Sequence, residues 1–314
     1  MAGTRRPYQG DGRQGTTLEG LPAKITVDGK PTIFAGFKPA QDAAAAYMLE
    51  AGLEYNPPTT YAKVDTERAT RIARVYDELK HEPGNPEVKA AYDAMIQETL
   101  DQYQAILKTG LKVEFNNGAD PYGNPRNAIL DVVENNHLYI FSTKDGFGTA
   151  PIDVSDSPLL APTEFMFGDQ PTLVNDIFRV VHDYFGHIKE GVGFRADGEE
   201  NAWRAHSTMY SPLARRAMTT ETRGQNSWVN YGPKAEFNST ANGGDTVYAD
   251  QKVGLLPQWV TDEASGDAPA TGNNSLDSTQ TSAIMPKQKV ARPEELIALR
   301  KRKSVLESVL KCMG

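Results

Sequence analysis

The sequence predicts an α+β fold that is mainly helical, with helices around a central helix pair carrying a metal site and a few short strands. Three observations lead there. Two long segments, Asp65 to Leu79 and Pro86 to Leu107, repeat apolar residues at helical spacing. The strand-like runs are short and set apart by Gly, Pro, Asn and Asp. Three of the five histidines, His182, His187 and His206, fall between Leu173 and Tyr231 together with Glu199, Glu200 and Glu221.

A chain of 314 residues is long enough to bury a sizeable core. Its net charge of −8 argues against a general nucleic-acid surface, which needs clustered Lys and Arg. The single cysteine, Cys312, rules out an intrachain disulfide or a thiolate cluster, so any metal must be held by His and carboxylates. No run of about 18 apolar residues is present, and no apolar segment follows the N-terminal arginines. A cytoplasmic protein without nucleic-acid or membrane partners is expected.

In chain order, residues 1–20 are expected to be a mobile tail, and residues 21–261 the metal-binding domain. Lys24 to Thr26 and Thr32 to Phe34 suit a hairpin turning at Asp28-Gly29. A helix from about Ala40 to Ala51 stops at Gly52, and Tyr55-Asn56-Pro57-Pro58 must be extended. Asp65 caps a helix with Ala69, Ile72, Ala73, Tyr76 and Leu79, ending before Pro83. Asn85-Pro86 opens another that carries Val88, Tyr92, Met95, Ile96, Tyr103, Ile106 and Leu107 and ends at Gly110. These two are expected to form an antiparallel pair.

Leu111 to Phe115 suits a strand, Pro125 to Val133 a short helix and His137 to Ser142 a second strand. Thr143 to Asp169, with Phe147, Phe165 and Phe167, suits an ordered loop covering the centre. Thr172 is placed to cap a helix bearing Leu173, Ile177, Phe178, Val181, Phe185 and Ile188. A second helix runs from about Glu199 to Met218, interrupted at Pro212, and a short one from Thr246 to Leu255. Residues 262–286 suit a flexible linker and 287–314 an amphipathic C-terminal helix, whose stretch 293–311 is suited to a protein partner or self-association.

His182 and His187 are five apart. On a regular helix they would differ by about 140° in direction. They converge if the helix ends near Gly186, or if one wide turn there brings residues five apart into line. Two imidazoles and a carboxylate make the donor set of mononuclear non-haem Fe(II) oxygenases, with positions left for dioxygen and substrate. Zinc competes for such donors, but His182-Asp183-Tyr184-Phe185-Gly186-His187 lacks the four-residue spacing of the zinc-protease signature.

This hexapeptide resembles the His-x-Leu-x-Gly-His motif of the pterin-dependent aromatic amino acid hydroxylases. The resemblance is confined to the metal motif. It implies Fe(II) held by His182, His187 and a later glutamate matched by Glu221, with a reduced pterin as possible cosubstrate. The window Asn175 to Tyr231 also resembles a domain of large phage-carried proteins of unassigned activity, which implies a phage-associated setting.

Glu221 is preferred as the carboxylate for its place at the far end of the second helix and for Arg223, Gln225 and Asn226 after it. Glu199 competes because it shares a helix face with Trp203 and His206, and Asp183 competes as the neighbour of the first histidine. Glu200 and Arg204 suit an ordinary helix ion pair. His206 suits a ligand, an acid–base group, a support or plain packing. Arg223 or Gln225 would orient an anionic or amide group of the substrate. The expected activity is Fe(II)-dependent hydroxylation of a small molecule such as an amino acid. The alternatives are a di-iron oxidase built on Glu78–His81 and Glu134–His137, and a phage-associated structural or interaction domain without catalysis.

Overall fold

The computed structural model describes residues 24–27, 30–34, 36–55, 58, 61–116, 121–122, 126–146, 155–241 and 245–262. It is an α+β fold, mostly helical. All described residues fall in the first of two compact units, Met1–Ala268. The expected N-terminal tail, the expected turn at Asp28-Gly29, Asn56-Pro57, Phe147 and the linker and C-terminal helix expected beyond Asp262 lie outside the described residues.

β1 (Lys24–Val27) and β2 (Lys30–Phe34) pair antiparallel, as the hairpin pattern predicts. α1 (Lys38–Ala51) ends at Gly52, whose φ of 70° is the left-handed cap that glycine adopts without strain. α2 (Thr66–Asp77) is capped by the Asp65 carboxylate, which accepts from Arg68 N–H. α3 (Pro86–Leu107) is capped by Asn85, which accepts from the Glu87 and Val88 amides.

The two long helices do not pack as an antiparallel pair. α3 lies along two later helices, α6 (Val174–His182) and α8 (Pro212–Thr219), while α2 lies along α9 (Gln225–Tyr231). Periodicity gives each helix an apolar face but does not name its partner. Val88, Ala91, Tyr92 and Met95 share a cluster with Tyr210, Ala214, Ala217 and Met218; Ile72 and Tyr76 share another with Leu256 and Val260.

β3 (Lys112–Phe115), α4 (Arg126–Asn135) and β4 (His137–Ile140) form a short β-α-β unit, its strands parallel with Lys112 opposite His137. The expected loop from Thr143 is partly ordered into elements. It holds a helical turn, α5 (Thr143–Gly146), and then β5 (Pro162–Phe167), paired antiparallel with β6 (Gln170–Leu173). Gly168 takes φ 58° in the two-residue turn. Phe165 and Phe167 meet Tyr103 of α3 with ring centroids at 4.9 and 6.1 Å, which packs this hairpin against the long helix.

α6 is capped by Asp176 rather than by Thr172. One Asp176 oxygen accepts from Leu173 N–H at 2.8 Å and the other from Thr143 N–H at 2.7 Å. Thr172 is in β6 and donates to the Phe165 carbonyl at 2.9 Å. The second site helix is broken near Pro212 as expected, into α7 (Ala196–Ser207) and α8, with Ser211 capping the latter.

Residues 246–255 are not helical; α10 (Ala235–Thr240) precedes them and α11 (Gln258–Thr261) follows. The segment is a strap laid over the end of α2, fastened by Glu82 N–H to the Val253 carbonyl at 2.8 Å and Val253 N–H to His81 Nδ1 at 3.0 Å. Among the described residues no helix is long and apolar enough to cross a membrane.

Candidate metal centre

α6 runs without a break into one π-helical turn, Asp183–Ile188. In such a turn hydrogen bonds span five residues, as Lys189 N–H to the Tyr184 carbonyl does at 2.8 Å. Residues five apart then line up, and the His182 and His187 rings stand edge to face with centroids 5.1 Å apart. Gly186 makes the room, since a Cβ there would lie 3.2 Å from both His182 Nδ1 and Ala202 Cβ.

The carboxylate facing both rings is Glu199, in the first turn of α7. Its Oε2 lies 3.7 Å from His182 Nε2 and 3.3 Å from His187 Nε2. His182, His187 and Glu199 each bring one ligand atom to within 4.8 Å of the others, the geometry of a buried group that can hold a metal ion. Bonds of roughly 2.1 Å from one ion to donors at near-right to tetrahedral angles place the donors roughly 3.0–3.5 Å apart. The cluster approaches that spacing.

The donor chemistry fits as well. Both Nε2 atoms are buried and have no hydrogen-bond partner. His187 Nδ1 lies 3.1 Å from the Gly193 carbonyl, which only accepts, so Nδ1 carries a proton and Nε2 is the nitrogen left to offer a lone pair to an ion beside Glu199. That carbonyl gets close because residue 198 is glycine: a Cβ there would sit 1.7 Å from Gly193 O. Phe194 stacks on the His187 ring at 4.1 Å, with 14° between planes. His182 Nδ1 lies 3.1 Å from His206 Nδ1, and Glu199 Oε2 accepts from Asn226 Nδ2 at 2.9 Å.

Electrostatics agree with this arrangement. Burial alone would raise the Glu199 carboxyl, but the two imidazoles override it and hold it well below the usual carboxylate range. Burial alone would lower His187, but Glu199 overrides it and raises its affinity for a proton. A lone pair that draws a proton in this way serves a cation equally. Burial, reinforced by His182, keeps His206 well below the ordinary histidine value.

The other predicted residues have different partners. Glu221 is not in the converging group. It lies in a second π turn, Thr220–Gly224, where it accepts from the Tyr92 hydroxyl and, at 2.8 Å, from Gln225 Nε2. Burial pushes its carboxyl up to about 7. Gln225 also donates to Gln251 Oε1 at 3.2 Å. Arg223 binds Glu200 through Nε (3.0 Å) and Nη2 (2.5 Å), donates to the Val260 carbonyl at 2.8 Å and lies 3.9 Å over the Trp203 ring. This bidentate clamp commits the guanidinium to structure. Asp183 opens the first π turn with a carboxyl raised by burial, against the pull of both imidazoles, and supplies no atom to the group. His81 contacts Asp156 at 2.8 Å and His137 contacts Asp131 at 2.7 Å, each away from the other Glu-x-x-His pair.

A small, partly open cleft borders Glu199 and is walled by Glu200, Arg223, Asn226, Asn230 and Tyr231. Gly193 and Gly198 go unassigned in the sequence because each acts across a loop, while Asn226, expected to support Glu221, supports Glu199 instead. The clue to Glu199 was its helix face shared with His206. Compared with known proteins, the chain matches no family model, no curated protein and no solved structure.

Proposed function

We propose that His182, His187 and Glu199 hold one Fe(II) ion and that the protein is a mononuclear non-haem iron oxygenase hydroxylating a small molecule with dioxygen. The observation that carries this reading is the pair of buried, unpartnered Nε2 atoms facing one carboxylate oxygen. Two imidazoles and one carboxylate suit Fe(II) and leave several positions open. The five-residue histidine spacing made usable by a π turn also favours iron over the zinc-protease pattern.

The chemistry such an ion supplies is activation of dioxygen at its open positions. The chain's own residues do the rest. Gly193 holds the His187 ring by its carbonyl, and Asn226 holds Glu199 by its amide, so neither donor has to reorient when it binds. The substrate is placed in the cleft beside Glu199, against amide and carboxylate walls; Arg223, already engaged by Glu200, is part of the wall and does not hook the substrate.

The test is dioxygen uptake by protein loaded anaerobically with Fe(II). Uptake faster than that of the same free iron, and lost in His187→Ala, is expected. Stoichiometric retention of zinc with no uptake would instead support hydrolytic zinc chemistry, for which His2Glu is also a ligand set. Folded protein that retains no metal would support the structural-domain alternative.

A further inference from the structure

We infer that Gln102, on α3, is a positioning residue for this centre: acting through His206, it fixes the proton of His182 on Nδ1 and so turns the His182 Nε2 lone pair toward Glu199. This rests on the metal reading above. Each role is dictated by what the facing atom can donate or accept.

Gln102 Nε2 donates to the Met209 carbonyl at 3.3 Å, which fixes the orientation of the amide. Its Oε1 then lies 2.9 Å from His206 Nε2. A carbonyl oxygen only accepts, so His206 Nε2 carries a proton. Gln102 and His206 are both fully buried, and the hydrogen-bond partners of His206 are an amide and an imidazole, so the neutral ring is the form that burial favours. A neutral ring has one proton, and His206 Nδ1 is therefore a lone pair.

That lone pair faces His182 Nδ1 at 3.1 Å, so His182 is the donor. With its proton on Nδ1, His182 is left with a lone pair on Nε2, the atom without a partner that lies 3.7 Å from Glu199. Turning the Gln102 amide over would invert every step and leave His182 Nε2 protonated, unable to bind an ion. The Met209 carbonyl opposes that flip. His187 reaches the same state in one step from the Gly193 carbonyl.

The experiment reads imidazole ¹⁵N shifts in the metal-free protein and Co(II) affinity in the wild type and Gln102→Met, which keeps side-chain length but removes the acceptor. In the wild type, protons on His182 Nδ1 and His206 Nε2 are expected; a His182 proton on Nε2 overturns the inference. In Gln102→Met, Co(II) affinity should fall by about 10- to 100-fold, the usual effect of losing an outer partner of a ligand. The His182 shift should change, while far-ultraviolet circular dichroism does not. Unchanged affinity and unchanged shifts in a folded variant also overturn it. If Gln102→Met is insoluble, the wild-type shifts alone decide. Failure of the wild type to bind Co(II) would sink the metal reading instead, and the shifts would still report on the relay.

Discussion

Replacing Glu199 with Gln is expected to lower Fe(II) affinity by more than about 100-fold, beyond the range for losing an outer-shell partner, because a donor and its neutralising charge are both removed. Isothermal titration under anaerobic conditions measures it. Glu221→Gln should bind Fe(II) like the wild type, since both Glu221 oxygens are engaged by Tyr92 and Gln225. The reverse ordering would return the carboxylate role to Glu221.

Glu221 should show itself in stability instead. Burial raises its carboxyl from 4.5 to about 7, so the folded state binds this proton more tightly than the unfolded chain does. The stability it contributes is complete below the unfolded value and is lost as pH rises through about 7. The loss is on the order of 2–3 kcal/mol. Glu221→Gln should therefore gain stability relative to the wild type between pH 5 and pH 8, as read by urea unfolding at the two values.

Gly198→Ala is expected to have the second large effect. Its Cβ would lie 1.7 Å from the Gly193 oxygen, against backbone that has no side-chain freedom to yield. Overpacking of this kind costs about 1–3 kcal/mol, or roughly 3–10 °C in a domain of this size. The cost also falls on function, because the displaced carbonyl is the one that sets the His187 proton. A lower melting temperature together with weaker Fe(II) binding is expected. Gly84→Ala, where a Cβ would meet nothing within 4 Å, should change neither. Equal behaviour of the two variants would contradict this account of His187.

Local chemistry was the legible part of the fold. Asp65 and Asn85 cap where a short polar side chain precedes an apolar period, and Gly52 ends α1 because a left-handed residue is needed there. The π turn was half legible: two histidines five apart around Gly186 cannot share a face on a regular helix, which leaves either a helix end or one wide turn, and the fold takes the wide turn. Partner choice was not legible. The stripes on α2 and α3 fit each other as well as they fit α9 and α8, and only the full packing decides.

The same limit moved the carboxylate from Glu221 to Glu199. A position late in the helix was favoured by resemblance, but the second π turn directs Glu221 toward Tyr92, while the first turn of α7 brings Glu199 to the histidines. Gln102 carries no local signal at all, being one polar residue on a long helix that meets His206 only in the fold.

The most direct test of the metal centre is anaerobic titration of the wild-type chain with Fe(II). The structure predicts saturation at one ion per chain, abolished by His182→Ala and by His187→Ala while helical circular dichroism is retained. No saturable binding, or binding that both substitutions leave intact, would contradict it.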